Sequence, residues 1–296
     1  MGELPVRPST PTKFSMLGIV TLLSVSACSQ GRPHPPSSIP EPAHKATVTA
    51  EVESWLPQVI PGSREYSFRD SSIVSINNDT TARVLPIETT MNYSVIISPA
   101  ADSFLIAGKV DSSTINSRLQ TRATKGDSTQ ISEFHGALSK RGELRTSSQQ
   151  RSPDCSSSSN SAASRIYELI LPYPKDRIKV GDRWSDTVSS TSCHGRTPLT
   201  QRVIRDFEVK QFLTWHEQNA VEVKRLAAMT FSGASSETNT HLKTSGSGSG
   251  EATLLIDRNT AALLESSSQT KSMLTVVTSR GEFPFTQVTS THITIK

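Results

Sequence analysis

The sequence predicts a mainly β fold, a curved antiparallel sheet or half-barrel with long meander strands and one short helix. Apolar and polar residues alternate through most of the chain, as they do in strands that bury one face. Turn sequences divide the last quarter of the chain into three such strands. Only one segment has the residue spacing of a helix.

The alternating strands are clearest in three places. Two of them flank a turn at residues 99–102, and the third carries Glu222, Lys224 and Thr230 on its polar face. The predicted inner faces consist of Met91, Tyr93, Val95 and Ile97 in the first strand, Phe104, Ile106, Gly108 and Val110 in the second, and Val221, Val223, Ala227, Met229 and Phe231 in the third.

The serine-glycine segment at residues 245–250 has two interpretations. Such a composition is typical of a flexible linker. However, its three glycines continue the phase of Leu242, Leu254 and Ile256 on either side, which favours one long strand that bends where its inner face lacks side chains.

A meander follows this segment. A turn at residues 257–260 leads into a strand at 262–277, and a second turn at 279–282 leads into the last strand. The predicted inner face of the last strand consists of Phe283, Phe285, Ile293 and Ile295.

The one predicted helix begins at a cap formed by Asn160 or Ser161 and ends at Pro172. Its apolar stripe consists of Ala162, Ile166, Leu169 and Ile170. We predict one β-rich region over residues 46–296, with two halves that meet near 151–185. Whether the halves are repeats is left open, because their residues are only weakly similar.

The first 28 residues have the three zones of an export signal. Arg7 and Lys13 give a basic start, and the apolar run at residues 16–23 is shorter than the ~20 residues that cross a bilayer. A signal peptide over residues 1–27 is therefore predicted. Residues 28–45 are rich in proline and serine, which predicts a disordered spacer.

Val25, Ser26, Ala27 and Cys28 resemble the lipobox of bacterial prolipoproteins. The resemblance implies cleavage before Cys28, a diacylglyceryl group on its sulfur, and stable membrane attachment through the acyl chains. Ser29 stands where aspartate marks inner-membrane retention, so the periplasmic face of the outer membrane is expected. The alternative is an ordinary cysteine after a conventional signal peptide.

Cys155 and Cys193 remain after lipidation, and an oxidising compartment predicts a disulfide between them. The residues around both cysteines have the composition of loops. A metal site of Cys155, Cys193 and His194 is the alternative, but no fourth ligand stands at a recognisable spacing. No metal and no cofactor are predicted.

Composition and motifs argue against several function classes. A net charge of +4 over 296 residues, with no run of Lys and Arg, argues against nucleic-acid binding. Gly248 occupies the central position where a nucleophile elbow needs serine. Asp206 and Glu208 share a strand face as catalytic carboxylates do, but alternating charges are more typical of a solvated strand. The chain is not expected to be an enzyme.

Over residues 160–296 the chain also resembles uncharacterised β-rich lipoproteins of diderm bacteria. The resemblance rests on Val180, Gly181, Asp182, Arg183 and Trp184, on the glycine-rich strand with Asp257 at its turn, and on the terminal meander. Such chains are similar in outline to the half-barrels of periplasmic lipoprotein carriers, although the carriers are not themselves lipidated and lack a Ser/Thr-rich middle.

Two hypotheses about function follow. In the first, the concave sheet binds a lipid or other apolar ligand, and a cavity opens to solvent beside Leu242, Leu254 and Ile256. In the second, the protein is a structural or protein-interaction module of the envelope, and the helix covers those residues. Trp55, Trp184 and Trp215 are expected to be packing residues in either case.

Overall fold

The computed structural model describes residues 47–48, 54–78, 81–117, 124–125, 133–145, 161–194, 197–235 and 242–296. The predicted signal peptide, the spacer at 28–45, Cys28 and Cys155 lie outside these residues.

Thirteen strands and one helix make up the described fold. In chain order they are β1 (Thr47–Val48), β2 (Gly62–Asn78), β3 (Thr81–Pro99), β4 (Phe104–Ser117), β5 (Thr124–Lys125), β6 (Glu133–Leu138), β7 (Leu144–Arg145), α1 (Ser161–Leu169), β8 (Arg183–His194), β9 (Thr197–Trp215), β10 (Gln218–Ala234), β11 (Lys243–Asp257), β12 (Leu263–Thr278) and β13 (Gly281–Ile295). Among these elements no helix is long and apolar enough to cross a membrane.

All thirteen strands belong to one antiparallel sheet. The main order is β1-β9-β10-β11-β12-β13-β2-β3-β4-β6-β7, with β8 beside β9 and β5 beside β4. The sheet is not closed, and its two groups of strands join where β13 pairs with β2. This confirms the predicted curved antiparallel sheet with long meander strands and one short helix.

Short turns produce the meander. His216 and Glu217, between β9 and β10, both have positive φ values, of 44° and 66°, as a two-residue turn matched to the twist of its strands requires. Between β11 and β12, the Asp257 carboxylate accepts hydrogen bonds from the Asn259 amide at 2.9 Å and the Thr260 hydroxyl at 2.6 Å. The predicted turn at residues 257–260 is therefore confirmed.

The serine-glycine segment is an unbroken part of β11, so the linker interpretation is wrong. Its glycines lie on the inner face in phase with Leu254, and its serines are exposed. The neighbouring strand β12 passes close to the glycines. A β-carbon at Gly246 would lie 2.3 Å from the Met273 carbonyl oxygen, and one at Gly248 would lie 2.8 Å from that of Lys271.

One expectation about the cysteines is wrong. Cys193 lies in β8, which continues to His194, and its backbone pairs with Pro198 of β9. A run of serine and threonine has the composition of a loop, but threonine is β-branched and favours a strand. Here the strand pairing continues as far as His194 and Thr197. The disulfide itself stays a prediction, because Cys155 is outside the described residues.

Candidate functional site

The inner face of the sheet is the face against which α1 packs, and it has three zones from one end of the strands to the other. The closed zone consists of large apolar residues, among them Phe68, Val209, Val221, Val223, Leu254, Ile256 and Ile293. The polar belt consists of Asp70, Asp186, Arg205 and Arg225 of the sheet with Arg165 and Glu168 of α1. The distal zone consists of Val74, Ile76, Met229, Phe231, Leu274, Val276, Phe283 and Phe285.

Helix α1 and the segment after it fill the closed zone. Ile166 and Leu169 pack in one core cluster with Leu254 and Ile256, whose exposed fraction is 0%. A cavity beside Leu169 and Tyr66 has a volume of about 10 Å³, which is room for roughly one water molecule. The ligand-binding hypothesis expected an open cavity beside Leu254 and Ile256. This expectation is wrong, because both residues are fully buried in the same core cluster as α1 and the segment after it.

Aromatic rings anchor the covering segment to the sheet. The Trp184 indole nitrogen donates to the Pro172 carbonyl oxygen at 2.7 Å, and its ring stacks on Phe207 with centroids 5.2 Å apart. Tyr173 lies edge-on to Trp55 at 5.5 Å. Trp55 belongs to the main core cluster, Trp184 packs against that cluster, and Trp215 packs against a smaller one on the outer face. The tryptophans are packing residues, as predicted.

The polar belt begins where α1 meets the sheet. Arg165 forms an ion pair with Asp70 and lies 3.8 Å from a Glu168 carboxylate oxygen. Burial alone would lower the pKa of the Arg165 guanidinium, but these two carboxylates more than offset it and raise the pKa. The second Asp70 oxygen is buried and has no hydrogen-bond partner within the described part of the chain.

Arg205 binds α1 from the β9 side of the sheet. Its guanidinium binds both carboxylate oxygens of Asp186, with the Nε to Oδ1 distance at 2.8 Å, and it also donates to the Tyr167 carbonyl oxygen. A bidentate guanidinium-carboxylate pair fixes both side chains in one geometry. The belt thus fastens α1 to strands on both sides of the concavity.

Arg225 is the exception in the belt. Its side chain lies on the inner face between Val223 and Ala227, beside Phe207 and Ala252 of the neighbouring strands, and it is 8% exposed. It makes no hydrogen bond or ion pair with any described residue. Burial lowers the pKa of its guanidinium, Arg205 lowers it further, and the Glu168 and Asp186 carboxylates act in the opposite direction.

Small hydroxyl side chains continue the belt across the sheet. Ala252 is followed on the neighbouring strands by Ser268, Thr291 and Asp70. One row further from the closed zone, the hydroxyls of Ser72 and Thr289 hydrogen-bond at 2.8 Å. These side chains are too short to fill the concavity as the large closed-zone residues do.

The distal zone is apolar but less completely covered. Phe231, Phe283 and Phe285 are half-buried, and so are the three inner-face glycines of β11. Val74 and Leu274 are buried, yet they belong to neither of the two core clusters formed by described residues. Leu242, the third residue expected beside a cavity, lies half-buried at this end of β11.

Asp206 and Glu208, the two carboxylates considered as catalytic candidates, have the environment of a solvated strand. Asp206 is exposed, and Glu208 pairs with Lys210 at 2.6 Å and Arg183 at 3.0 Å. The hydrogen bond from Lys210, with Arg183 adding to it, lowers the pKa of the Glu208 carboxyl. A general acid needs a raised pKa, so Glu208 does not have the environment of one.

A serine, a histidine and a glutamate lie together on the outer face. The Ser267 hydroxyl and His292 Nδ1 are 3.1 Å apart, and His292 Nε2 lies 3.9 Å from Glu265. The second distance is too long for a hydrogen bond. The backbones of β12 and β13 pair along this stretch, which leaves few amides for an oxyanion. The absence of enzyme activity stays a prediction.

No group of three or more His, Cys, Asp or Glu side chains suited to a metal occurs in the ranges that the structure describes. The alternative metal site of Cys155, Cys193 and His194 is not tested by this, because Cys155 lies outside those ranges. Comparison with protein families gives no match to this chain, and neither does comparison with the sequences of curated proteins.

Sequence reasoning missed Arg225 and the polar belt. The alternation of Val221, Val223, Ala227 and Met229 was sufficient to predict the strand, and Arg225 falls in the same phase. A charged residue on an otherwise apolar strand face was the available signal. Its partners could not be inferred, because they depend on the register across several strands.

Proposed function

We propose that the protein is a cell-envelope lipoprotein, anchored through Cys28 at the periplasmic face of the outer membrane, that binds the apolar part of a lipid or similar ligand in its distal zone. The closed zone stabilises the sheet and the distal zone receives the ligand. The ligand would therefore lie in the distal zone and not at the Leu254 end of the concavity, where the sequence led us to expect it.

The observation that carries the proposal is the change in burial along the inner face of β10. Val221 and Val223 have an exposed fraction of 0%, whereas Ala227 and Phe231 further along the same face are half-buried, with the buried Met229 between them. An apolar concave surface with a few polar groups at one end is typical of small-molecule sites. The inner-face glycines of β11 add room, because they place no side chain in the concavity.

Native mass spectrometry of the full-length lipoprotein, purified from its own envelope, tests the ligand. We expect an adduct with the mass of a lipid that Phe231→Gln reduces strongly, because that side chain lies in the distal zone. Leu226→Gln is the matched control, since Leu226 is on the outer face of the same strand and is 49% exposed. A protein without any adduct, before and after incubation with envelope lipids, contradicts the proposal.

The anchor is tested by labelling cells with an alkyne fatty acid. We expect label on the wild-type protein and none on Cys28→Ala, because the cysteine sulfur carries the diacylglyceryl group in prolipoproteins. Equal labelling of both would contradict the anchor. Density-gradient fractionation of the labelled membranes then tests the outer-membrane location.

The second candidate is a structural or protein-interaction module without a ligand. The burial of Leu254 and Ile256 in one core cluster with Ile166 and Leu169 of α1 favours it, because a sheet face that is already buried needs no ligand to cover it. It predicts that the distal zone carries no lipid under any condition. The same mass spectra therefore separate the two candidates.

A further inference from the structure

The residues between the closed and distal zones indicate the chemistry of the ligand. We propose that the guanidinium of Arg225 binds the anionic group, a phosphate or a carboxylate, of a single-chain amphiphile whose apolar chain lies along the distal zone. This inference rests on the proposed function and adds the ligand's head group and its orientation.

The first support is that Arg225 is a buried cation without a direct partner. A guanidinium has five N–H donors and no acceptor, and this one is 8% exposed with no hydrogen bond or ion pair to the described residues. A largely buried guanidinium without a protein acceptor is unfavourable. Its nitrogens are not among the fully buried unpartnered atoms of the described residues, so solvent, and hence an anion, can reach them. An oxyanion that accepts two of them in a bidentate arrangement would satisfy the side chain.

The second support is the contrast with the other two arginines of the belt. Arg165 is paired with Asp70 and Arg205 with Asp186, so both have a carboxylate of their own. Glu168 interacts electrostatically with Arg225, but its nearest cation contact is Arg165 at 3.8 Å. Two arginines fasten α1 to the sheet, and the third remains available to a ligand.

The third support is the direction in which an amphiphile could extend. Towards the closed zone, the next inner-face residues are Val223 and Leu254, which are fully buried. In the other direction the inner face continues through Ala227 and Phe231 to Gly233, eight residues from Arg225, or roughly 26 Å at ~3.3 Å per residue. The head group would therefore lie deep and the chain would point towards the distal end.

The test uses the full-length lipoprotein in phosphatidylcholine nanodiscs and a hexadecanoate probe that carries a photoreactive diazirine. The fraction of cross-linked protein is measured while palmitate, hexadecyl phosphate, hexadecanol or inorganic phosphate competes. Peptide mapping locates the cross-links. Arg225→Met removes the charge at similar volume, and Lys224→Met is the matched control, because Lys224 lies on the outer face, 3.3 Å from Glu251.

We expect cross-links on distal-zone peptides, and competition by palmitate and hexadecyl phosphate at concentrations about tenfold to a hundredfold below that of hexadecanol. Arg225→Met should remove this difference and leave hexadecanol unchanged, whereas Lys224→Met should behave as wild type. The comparison of competitors in the wild type stands even if the variant fails to fold.

Three results would overturn the inference in different ways. Equal competition by all three amphiphiles in the wild type would mean that the distal zone binds apolar chains but that Arg225 does not bind their head groups. Competition by inorganic phosphate as strong as that by hexadecyl phosphate makes the site one for a free anion. Absence of cross-links from the distal zone overturns the proposed function as well.

Discussion

Valine in place of Gly246 should weaken the sheet where β11 and β12 lie close together. A β-carbon there would lie 2.3 Å from the Met273 carbonyl oxygen and 2.9 Å from the Leu274 Cα. Both are backbone atoms, so rotating a side chain cannot relieve the clash, and β11 and β12 must separate. Gly248 is less restricted, because the Ser272 hydroxyl at 2.7 Å can turn away and the closest backbone atom, the Lys271 carbonyl oxygen, is 2.8 Å away.

Overpacking typically costs ~1–3 kcal/mol, and Gly246 belongs in the upper part of this range. Replacing glycine in a strand regains ~0.5–1 kcal/mol of backbone entropy. The free energy of unfolding should therefore fall by about 1–2 kcal/mol for Gly246→Val, or a Tm lower by about 2–8 °C. Gly248→Val should lose less.

Ser247→Val is the matched control, because it introduces the same side chain on the next residue, which is exposed on the outer face. Its effect should stay within about 0.5 kcal/mol. Denaturant melts followed by tryptophan fluorescence measure all three variants, since Trp55 and Trp184 lie in or against the core. Equal, negligible losses at 246 and 247 would refute the close strand approach.

Three further predictions concern other parts of the molecule. Cys155 and Cys193 should be disulfide-linked in protein from the envelope, and non-reducing peptide mapping that finds two free thiols would contradict this. Gly142→Ala should destabilise the protein by at least about 1–2 kcal/mol, measured by thermal melts, because φ is +79° and the new β-carbon would lie 1.9 Å from the Leu171 carbonyl oxygen. Arg225→Met should raise the stability of the ligand-free protein by about 1–3 kcal/mol, because it removes a largely buried group that has no protein acceptor; a lower Tm would indicate a structural role instead.

The sequence was sufficient for most of the fold because period-two alternation is a local property. It predicted the strands around Tyr93 and Val223, and it predicted that the Gly246 segment continues β11. The apolar stripe of the helix, which includes Ile166, was equally clear in the sequence. The loop predicted at Cys193 was wrong because serine and threonine occur in both loops and solvated strands, and only pairing with β9 distinguishes them.

The candidate site was much less predictable than the fold. Arg225 and Asp70 are separated in the chain by more than half of its length, and they share the belt only through the register of β10 to β13 with β2. The burial of Leu254 in one cluster with Ile166 and Leu169 of α1 also depends on long-range packing. Local patterns indicate which face of a strand is buried, but they do not indicate what covers it.

The pairing of β13 with β2 has a consequence for how the chain folds. Tyr66 pairs with Ile295, and their residue numbers differ by 229. Pairing between such distant segments makes folding slow, because the entropy of closing the loop must be overcome before the contacts form. A chain that emerges from its amino terminus can pair β2 with β3 early, but the other edge of β2 stays exposed until β13 arrives. Exposed strand edges promote aggregation, so this edge is the one that a chaperone would have to protect during folding.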